Sequence, residues 1–215
     1  MQSPPLNPTL EGICNPHPST PHPKMPLLLP LILLAFALPL QAQKSHPSDS
    51  DRESLGKAID YFVSAKYHEA LLIFEKLDEH YKLNPRYLAY MGYCYYFDWE
   101  YASAIGYFEK ALPQLEALAP QELSLYYFSL AESHFNLAQY EESIPAYEQH
   151  LIRCHPNERA DALYRLGFVY LFRDDKPLAW EYFTAACACY EYFLPQQQQR
   201  IQQLHHMLKA LTPTP

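Results

Sequence analysis

Glycine is scarce in this chain: only 5 of its 215 residues are glycine, against 20 prolines and 19 tyrosines. Loops that cradle phosphate groups need glycine, because the backbone must approach the phosphate closely. The sequence also lacks a nucleophile elbow and a cysteine–histidine triad. These absences exclude the familiar catalytic and nucleotide-binding motifs, so we expect no catalytic residue, no cofactor and no small-molecule substrate.

Positive charge is scarce as well. The chain carries 16 Lys and Arg residues against 24 Asp and Glu residues, which gives a formal net charge of −8. Nucleic-acid phosphates require basic partners, so this balance argues against a nucleic-acid-binding protein.

No apolar run is long enough for an ordinary membrane span. The longest, at 26–40, has 15 residues including three prolines, whereas a spanning helix needs about 20. Lys24 precedes the run and the small residue Ala42 follows it, which is the layout of a secretory signal peptide. We therefore predict a signal peptide at 25–42 that is cleaved after Ala42. An uncleaved anchor at 26–42, in contact with a membrane, is the alternative.

The segments on either side of the signal peptide have no core-forming pattern. Residues 1–24 are rich in proline and are predicted to be a disordered leader, with both Met1 and Met25 open as the start. Residues 43–51 are predicted to be a linker. Export points to an extracytoplasmic compartment, and Gln43 stands where a lipoprotein would carry cysteine. The expected location is therefore a bacterial periplasm.

A period of 34 residues runs through the centre of the chain. The strings YHEALLIF at 67–74 and YASAIGYF at 101–108 follow this spacing, since Ala70 and Ala104 are 34 residues apart. Two further copies follow with looser spacings of 39 and 36 residues. A repeat of this length indicates stacked pairs of helices.

These strings resemble the tetratricopeptide repeat (TPR) family. The resemblance implies an all-α fold, a right-handed superhelical solenoid of helix-turn-helix repeats, which makes binding surfaces more readily than active sites. It places four TPR repeats within 52–194. The repeats are expected at 52–85, 86–119, 121–156 and 157–194.

Small residues recur where the two helices of a repeat should meet. Gly92 and Gly167, on first helices, allow a close approach, and Phe108 and Phe183, on second helices, would fill the space between the helices. Pro145 lies inside the second helix of repeat three, where we expect it to kink or delay that helix.

Residues 195–215 are predicted to form a capping helix and tail. Ile201, Leu204, Leu208 and Leu211 make one apolar stripe along a polar helix. A solenoid needs its last repeat covered by such a helix. An amphipathic helix on a membrane surface is disfavoured, because the segment contains only two Lys or Arg residues.

Four cysteines follow the predicted cleavage point, and two interpretations stay open for them. In the first, they fill helix contacts as small apolar side chains. In the second, which an oxidising compartment would permit, Cys154 forms a disulfide with Cys187 or Cys189.

Histidines occur in two pairs near the ends of predicted helices. His150 and His155 do not share a helical face, and neither do His205 and His206. We expect all four to be solvated surface residues, and no metal site is predicted.

The TPR resemblance also implies where a partner would bind, because the first helix of each TPR pair lines the concave surface. Aromatic and arginine side chains, which dominate binding energy at interfaces, are frequent at these positions. Some of these rings could instead pack on the neighbouring repeat or under the capping helix, but Tyr93 and Phe168 are expected to face the groove and not the core. The predicted groove residues are Arg86, Tyr90, Tyr93, Phe97, Phe128, Glu132, Tyr164, Arg165 and Phe168.

The composition of these inward positions selects a kind of partner. TPR modules that grip the acidic C-terminal tails of chaperones use lysine, arginine and asparagine there, whereas this chain has residues such as Leu55, Ile59 and Ala89. An extended or helical segment with apolar side chains fits better than a free carboxylate. The predicted function is a non-enzymatic adaptor or scaffold. The alternative is a membrane-anchored structural subunit, packed permanently in a larger envelope complex.

Overall fold

The computed structural model describes residues 48–212, and all regular structure within that stretch is helical. The predicted leader, the signal peptide and most of the linker lie outside the described residues, as do the last three positions of the tail. The α-helices are α1 Asp49–Val63, α2 Tyr67–His80, α3 Pro85–Phe97, α4 Tyr101–Ala111, α5 Pro120–Asn136, α6 Tyr140–Arg153, α7 Arg159–Phe172, α8 Lys176–Phe193 and α9 Gln198–Leu211.

The helices pack as four consecutive pairs followed by one more helix. Each odd-numbered helix from α1 to α7 packs against the helix that follows it, and α2, α4 and α6 each contact the next pair. The first helices α3 and α5 also touch directly. The predicted all-α solenoid of helical repeats is therefore confirmed. One boundary differs from the prediction, because residues 49–51 form the first turn of α1, capped by Ser48, and not a linker.

Each pair turns at a residue with left-handed backbone. Ala65, Trp99, Ala138 and Asp174 have φ angles of 57°, 62°, 57° and 59°. After Ala65, the Lys66 amide donates to the carbonyl of Tyr61 at 2.9 Å, and the other three turns repeat this bond. This is the Schellman ending of a helix, which usually takes glycine at the left-handed position. Here none of the four positions is glycine. The left-handed backbone of a non-glycine residue costs about 1 kcal/mol or more at each turn.

Glycine is required where the two helices of a pair cross. A Cβ atom placed on Gly167 would lie 2.5 Å from the ring of Phe183, and one on Gly92 would lie 3.0 Å from the ring of Phe108. Both rings are fully buried. The small residues predicted to allow close approach therefore do so in the second and fourth pairs.

The prolines that lie inside the α-helices mark helix starts, with one exception. Pro85 and Pro120 are the first residues of α3 and α5, and Pro177 lies in the first turn of α8 behind the cap residue Asp175. The exception is Pro145, which was expected to kink or delay its helix. The delay does not occur, because α6 begins at Tyr140 and continues through the proline to Arg153.

Helix α9 covers the end of the last pair. Its Ile201 and Leu204 side chains are buried against α8, as the apolar stripe predicts. The guanidinium of Arg200 lies 4.1 Å from the centre of the Tyr164 ring, which links α9 to α7 as well. None of the helices described between residues 48 and 212 has both the length and the apolar character to cross a membrane.

Exchanging glycine for alanine should have opposite effects at two helical sites. Gly167→Ala should lower the free energy of unfolding by about 1–2 kcal/mol, because the added methyl group overlaps the Phe183 ring. Gly56→Ala, on the exposed face of α1 with no atom near its Cβ position, should raise it by about 0.5–1 kcal/mol. Urea unfolding followed by circular dichroism measures both, and a neutral or stabilising effect at Gly167 would contradict the packing described.

Candidate protein-binding groove

The residues predicted for the groove fall into a buried and an accessible set. Tyr93, Glu132 and Tyr164 are buried. The other six keep part of their surface in contact with solvent. The accessible residues are Arg86, Tyr90, Phe97, Phe128, Arg165 and Phe168. Whether they contact a partner stays a prediction.

Tyr93 belongs to the core, so the expectation that it faces the groove and not the core is wrong. Its side chain is 9% exposed and its ring lies 5.3 Å from Tyr67, 4.9 Å from Phe97 and 6.5 Å from Tyr126. It therefore joins the first, second and third helix pairs. Burial raises the pKa of its hydroxyl well above the usual value.

Phe168 is divided between the groove and the core. The ring is partly exposed, but its edge meets the buried ring of Phe183 with centroids 5.2 Å apart. Tyr164, one turn earlier, packs against Phe168 at 4.9 Å and lies under Arg200 of α9. Tyr164 therefore follows the alternative in which a ring packs under the capping helix, here α9.

Both arginines predicted for partner binding are already paired with carboxylates of neighbouring repeats. Arg165 of α7 donates through Nε and Nη2 to the two oxygens of Glu132 in α5, at 2.8 and 2.9 Å. Arg86 of α3 donates in the same forked manner to Glu122 of α5, at 2.9 and 2.8 Å. Bidentate pairs of this kind are strong and directional. They hold successive first helices together, so these arginines offer little to a carboxylate of a partner.

The Glu132 pair is the more deeply buried of the two. Tyr147 of α6 donates a 2.5 Å hydrogen bond to the same carboxylate, and the Arg165 guanidinium lies 4.7 Å from the Phe135 ring. Burial lowers the pKa of Arg165, but the Glu132 carboxylate more than offsets this and the net shift is upward. Burial and then Glu132 raise the pKa of Tyr147, so its hydroxyl stays protonated and donates.

A cavity of about 500 Å³ opens between the first turns of α5 and α7 and the segment that joins α8 to α9. Leu125 presents an aliphatic side chain to it that is 42% exposed. Of the predicted groove residues, Phe128 lines this space. The lining consists of Gln121, Ser124, Leu125, Phe128, His150, Asn157, Glu158, Asp161, Leu194 and Gln197.

His150, expected to be a solvated surface residue, is buried at one wall of this cavity. Its Nδ1 atom lies 2.9 Å from the carbonyl oxygen of Ser124, to which it donates, and its ring packs 5.0 Å from Phe128. The imidazole thus ties α6 to α5 and fixes the position of Phe128. Sequence spacing gave no signal for this contact, because the acceptor is a backbone group 26 residues away.

Exposed rings also occur at the ends of two first helices. Phe97, the last residue of α3, stacks on Tyr67 with centroids 4.4 Å apart. Phe172, the last residue of α7, lies beside Tyr140 with the ring centroids 4.8 Å apart and the planes tilted by 37°. Both phenylalanines are exposed on their other side, so each presents an apolar surface supported by a ring beneath it.

The four cysteines within residues 48–212 are free thiols, so the disulfide interpretation of Cys154 is not the one this structure shows.

Within residues 48–212, one cluster of side chains has the residue types that bind metal ions. It is formed by Cys187, Glu191 and His205 where α9 packs on α8. None of its residues lines the cavity.

No protein-family model and no curated protein sequence matches this chain. Solved structures do match. A MamA RS-1 double mutant is 20% identical over 76% of this chain and 89% of its own, with a TM-score of 0.58. YrrB, described as a TPR protein with an unusual peptide-binding site, is 20% identical over 72% of this chain and 75% of its own, with a TM-score of 0.56.

A third match is a chain of the APC/C hetero-tetramer Cut9–Hcn1, 16% identical with a TM-score of 0.56. It is matched over 76% of this chain but only 30% of its own length. At these identities the likeness establishes the fold. The chain folds as a TPR solenoid, and the TPR resemblance of the repeated strings is confirmed at that level.

Removing either groove arginine should lower the free energy of unfolding, and the loss should be larger for the more deeply buried ion pair. Arg165→Met leaves the buried Glu132 carboxylate without its counter-ion and should lower the free energy of unfolding by about 3 kcal/mol. Arg86→Met, whose pair is more exposed, should cost about 1 kcal/mol or less. Urea unfolding of the two variants measures the difference, and equal effects would show that Glu132 is not desolvated as described.

Proposed function

We propose that this protein is a non-enzymatic adaptor that binds an extended or helical protein segment in its concave groove. The observation that carries the proposal is the cavity beside α5, where Leu125 and Phe128 are accessible. The groove arginines Arg86 and Arg165 are not among its lining residues and are paired with carboxylates of the chain. TPR-fold proteins as a class act in protein–protein interaction, and repeat solenoids present extended surfaces suited to that task.

The paired arginines define the chemistry of the occupant. Arg86 and Arg165 each donate two hydrogen bonds to a carboxylate of the chain. A free C-terminal carboxylate on a partner would therefore have to displace an existing ion pair. Apolar side chains can enter beside Leu125 and Phe128 without that exchange. The partner is therefore a segment with apolar anchor residues, and the mode is recognition by side-chain pockets.

Leu125 provides the direct test of the groove, with Ile152 as its matched control. Both are aliphatic and exposed, Leu125 at 42% on first helix α5 and Ile152 at 74% on second helix α6. Leu125→Ala should weaken capture of a partner from extracts of the native cell by about tenfold or more, if Leu125 is an interface anchor. Ile152→Ala should capture like the wild type.

The readout is mass spectrometry of material captured on the purified native protein, followed by an affinity measurement on the captured partner. Both variants should keep the wild-type helix content by circular dichroism, because neither side chain is buried. Equal capture by the Leu125 and wild-type proteins would overturn the groove. Loss of capture with Ile152→Ala alone would point to the alternative, a subunit packed permanently through its second helices.

We further propose that the adaptor works in an extracytoplasmic compartment, on the basis of the charge, apolar run and small residue before Gln43. N-terminal sequencing of the protein isolated from its native cell should find Gln43 as the first residue. A protein that retains Met1 or Met25 and fractionates with membranes would instead support the uncleaved anchor at 26–42.

A further inference from the structure

Three side chains of unlike chemistry meet where the last helix packs on the last repeat. Cys187 and Glu191 are one turn apart on α8, and His205 reaches them from α9. The Nε2 atom of His205 lies 2.8 Å from Oε1 of Glu191, and Sγ of Cys187 lies 3.8 Å from the same oxygen. All three ligand atoms lie within 4.8 Å of one another.

These distances are close to those of a metal shell. Zinc binds thiolate sulfur at about 2.3 Å and imidazole nitrogen or carboxylate oxygen at about 2.0–2.2 Å, so the ligand atoms of a tetrahedral site lie about 3.3–3.6 Å apart. The Glu191–His205 and Cys187–Glu191 separations are within about 0.5 Å of this range. The Cys187 and His205 ligand atoms lie within 4.8 Å of each other, so the two side chains would close on the ion as it binds. Sulfur, nitrogen and oxygen together favour zinc or a related transition ion over calcium or magnesium, which prefer oxygen alone.

We propose that Cys187, Glu191 and His205 bind a zinc ion that fastens helix α9 to helix α8. Glu191 and His205 are about half exposed, which leaves a path for the ion from solvent. Cys187 is buried and forms the inner wall of the site. The three protein ligands leave the fourth tetrahedral position to a water molecule.

Metal binding replaces the proton of the Cys187 thiol with the metal ion. When the sulfur–metal bond forms, the sulfur–hydrogen bond breaks and the proton passes to solvent, with no change of oxidation state.

Cobalt(II) is the probe for this site, because a thiolate bound to cobalt gives a charge-transfer band in the near ultraviolet and zinc gives none. The native protein with reduced thiols should bind one equivalent of cobalt(II) with this band, and zinc should displace it. Cys187→Ser should abolish the band. Glu191→Gln and His205→Ala should weaken binding by more than about tenfold, since even loss of an outer-shell partner costs that much.

Matched controls exist for two of the three ligands, Cys187 and His205. Cys189→Ser and His206→Ala change the same residue types on the same two helices, outside the cluster, and should bind like the wild type. The ligand His205 is exposed, so its variant tests the site even if Cys187→Ser misfolds. Absence of the band in the wild type, a band that survives Cys187→Ser, or a cobalt affinity left unchanged by His205→Ala would overturn the site.

Discussion

The buried carboxylate of Glu132 is the group on which the middle of the solenoid depends. It accepts hydrogen bonds from Arg165 of the next repeat and from Tyr147 of its own. Burying a carboxylate costs several kcal/mol unless it is paired, so any sliding of α5 against α6 or α7 would leave a charge unsatisfied. The pair therefore selects one arrangement of the third and fourth helix pairs more than it adds net stability.

The same logic explains why the chain uses tyrosine where phenylalanine would fill the space equally well. The hydroxyl of the buried Tyr126 donates a hydrogen bond to the Glu122 carboxylate at 2.8 Å. The Tyr95 hydroxyl donates to the Glu75 carboxylate at 2.6 Å. A buried phenol hydroxyl needs such a partner. These acidic residues are therefore paired with tyrosines and arginines of the chain, and Leu125 and Phe128 supply the accessible apolar side chains of the cavity.

Local pattern predicted the helices well, because spacing and proline position act within one or two turns. The 34-residue period placed the pairs, and Gly167 was correctly assigned to the close crossing beside Phe183. The accessible residues of the groove were harder to predict, because contacts between repeats decide which of its side chains are buried. Nothing local distinguishes Tyr93, which is buried by three helix pairs, from Leu125, which is accessible. The Cys187–Glu191 spacing was visible, but its third member, His205, arrives only because α9 folds back onto α8.

Amide hydrogen exchange on the native protein, alone and with its captured partner, tests the central claim most directly. If an apolar segment occupies the groove, protection should increase in the first turns of α5 and α7, around Leu125 and Asp161, and at the segment joining α8 to α9. Increased protection confined to the second helices α2, α4 and α6 would contradict the account, because it would place the partner on a surface formed by those helices and away from the cavity.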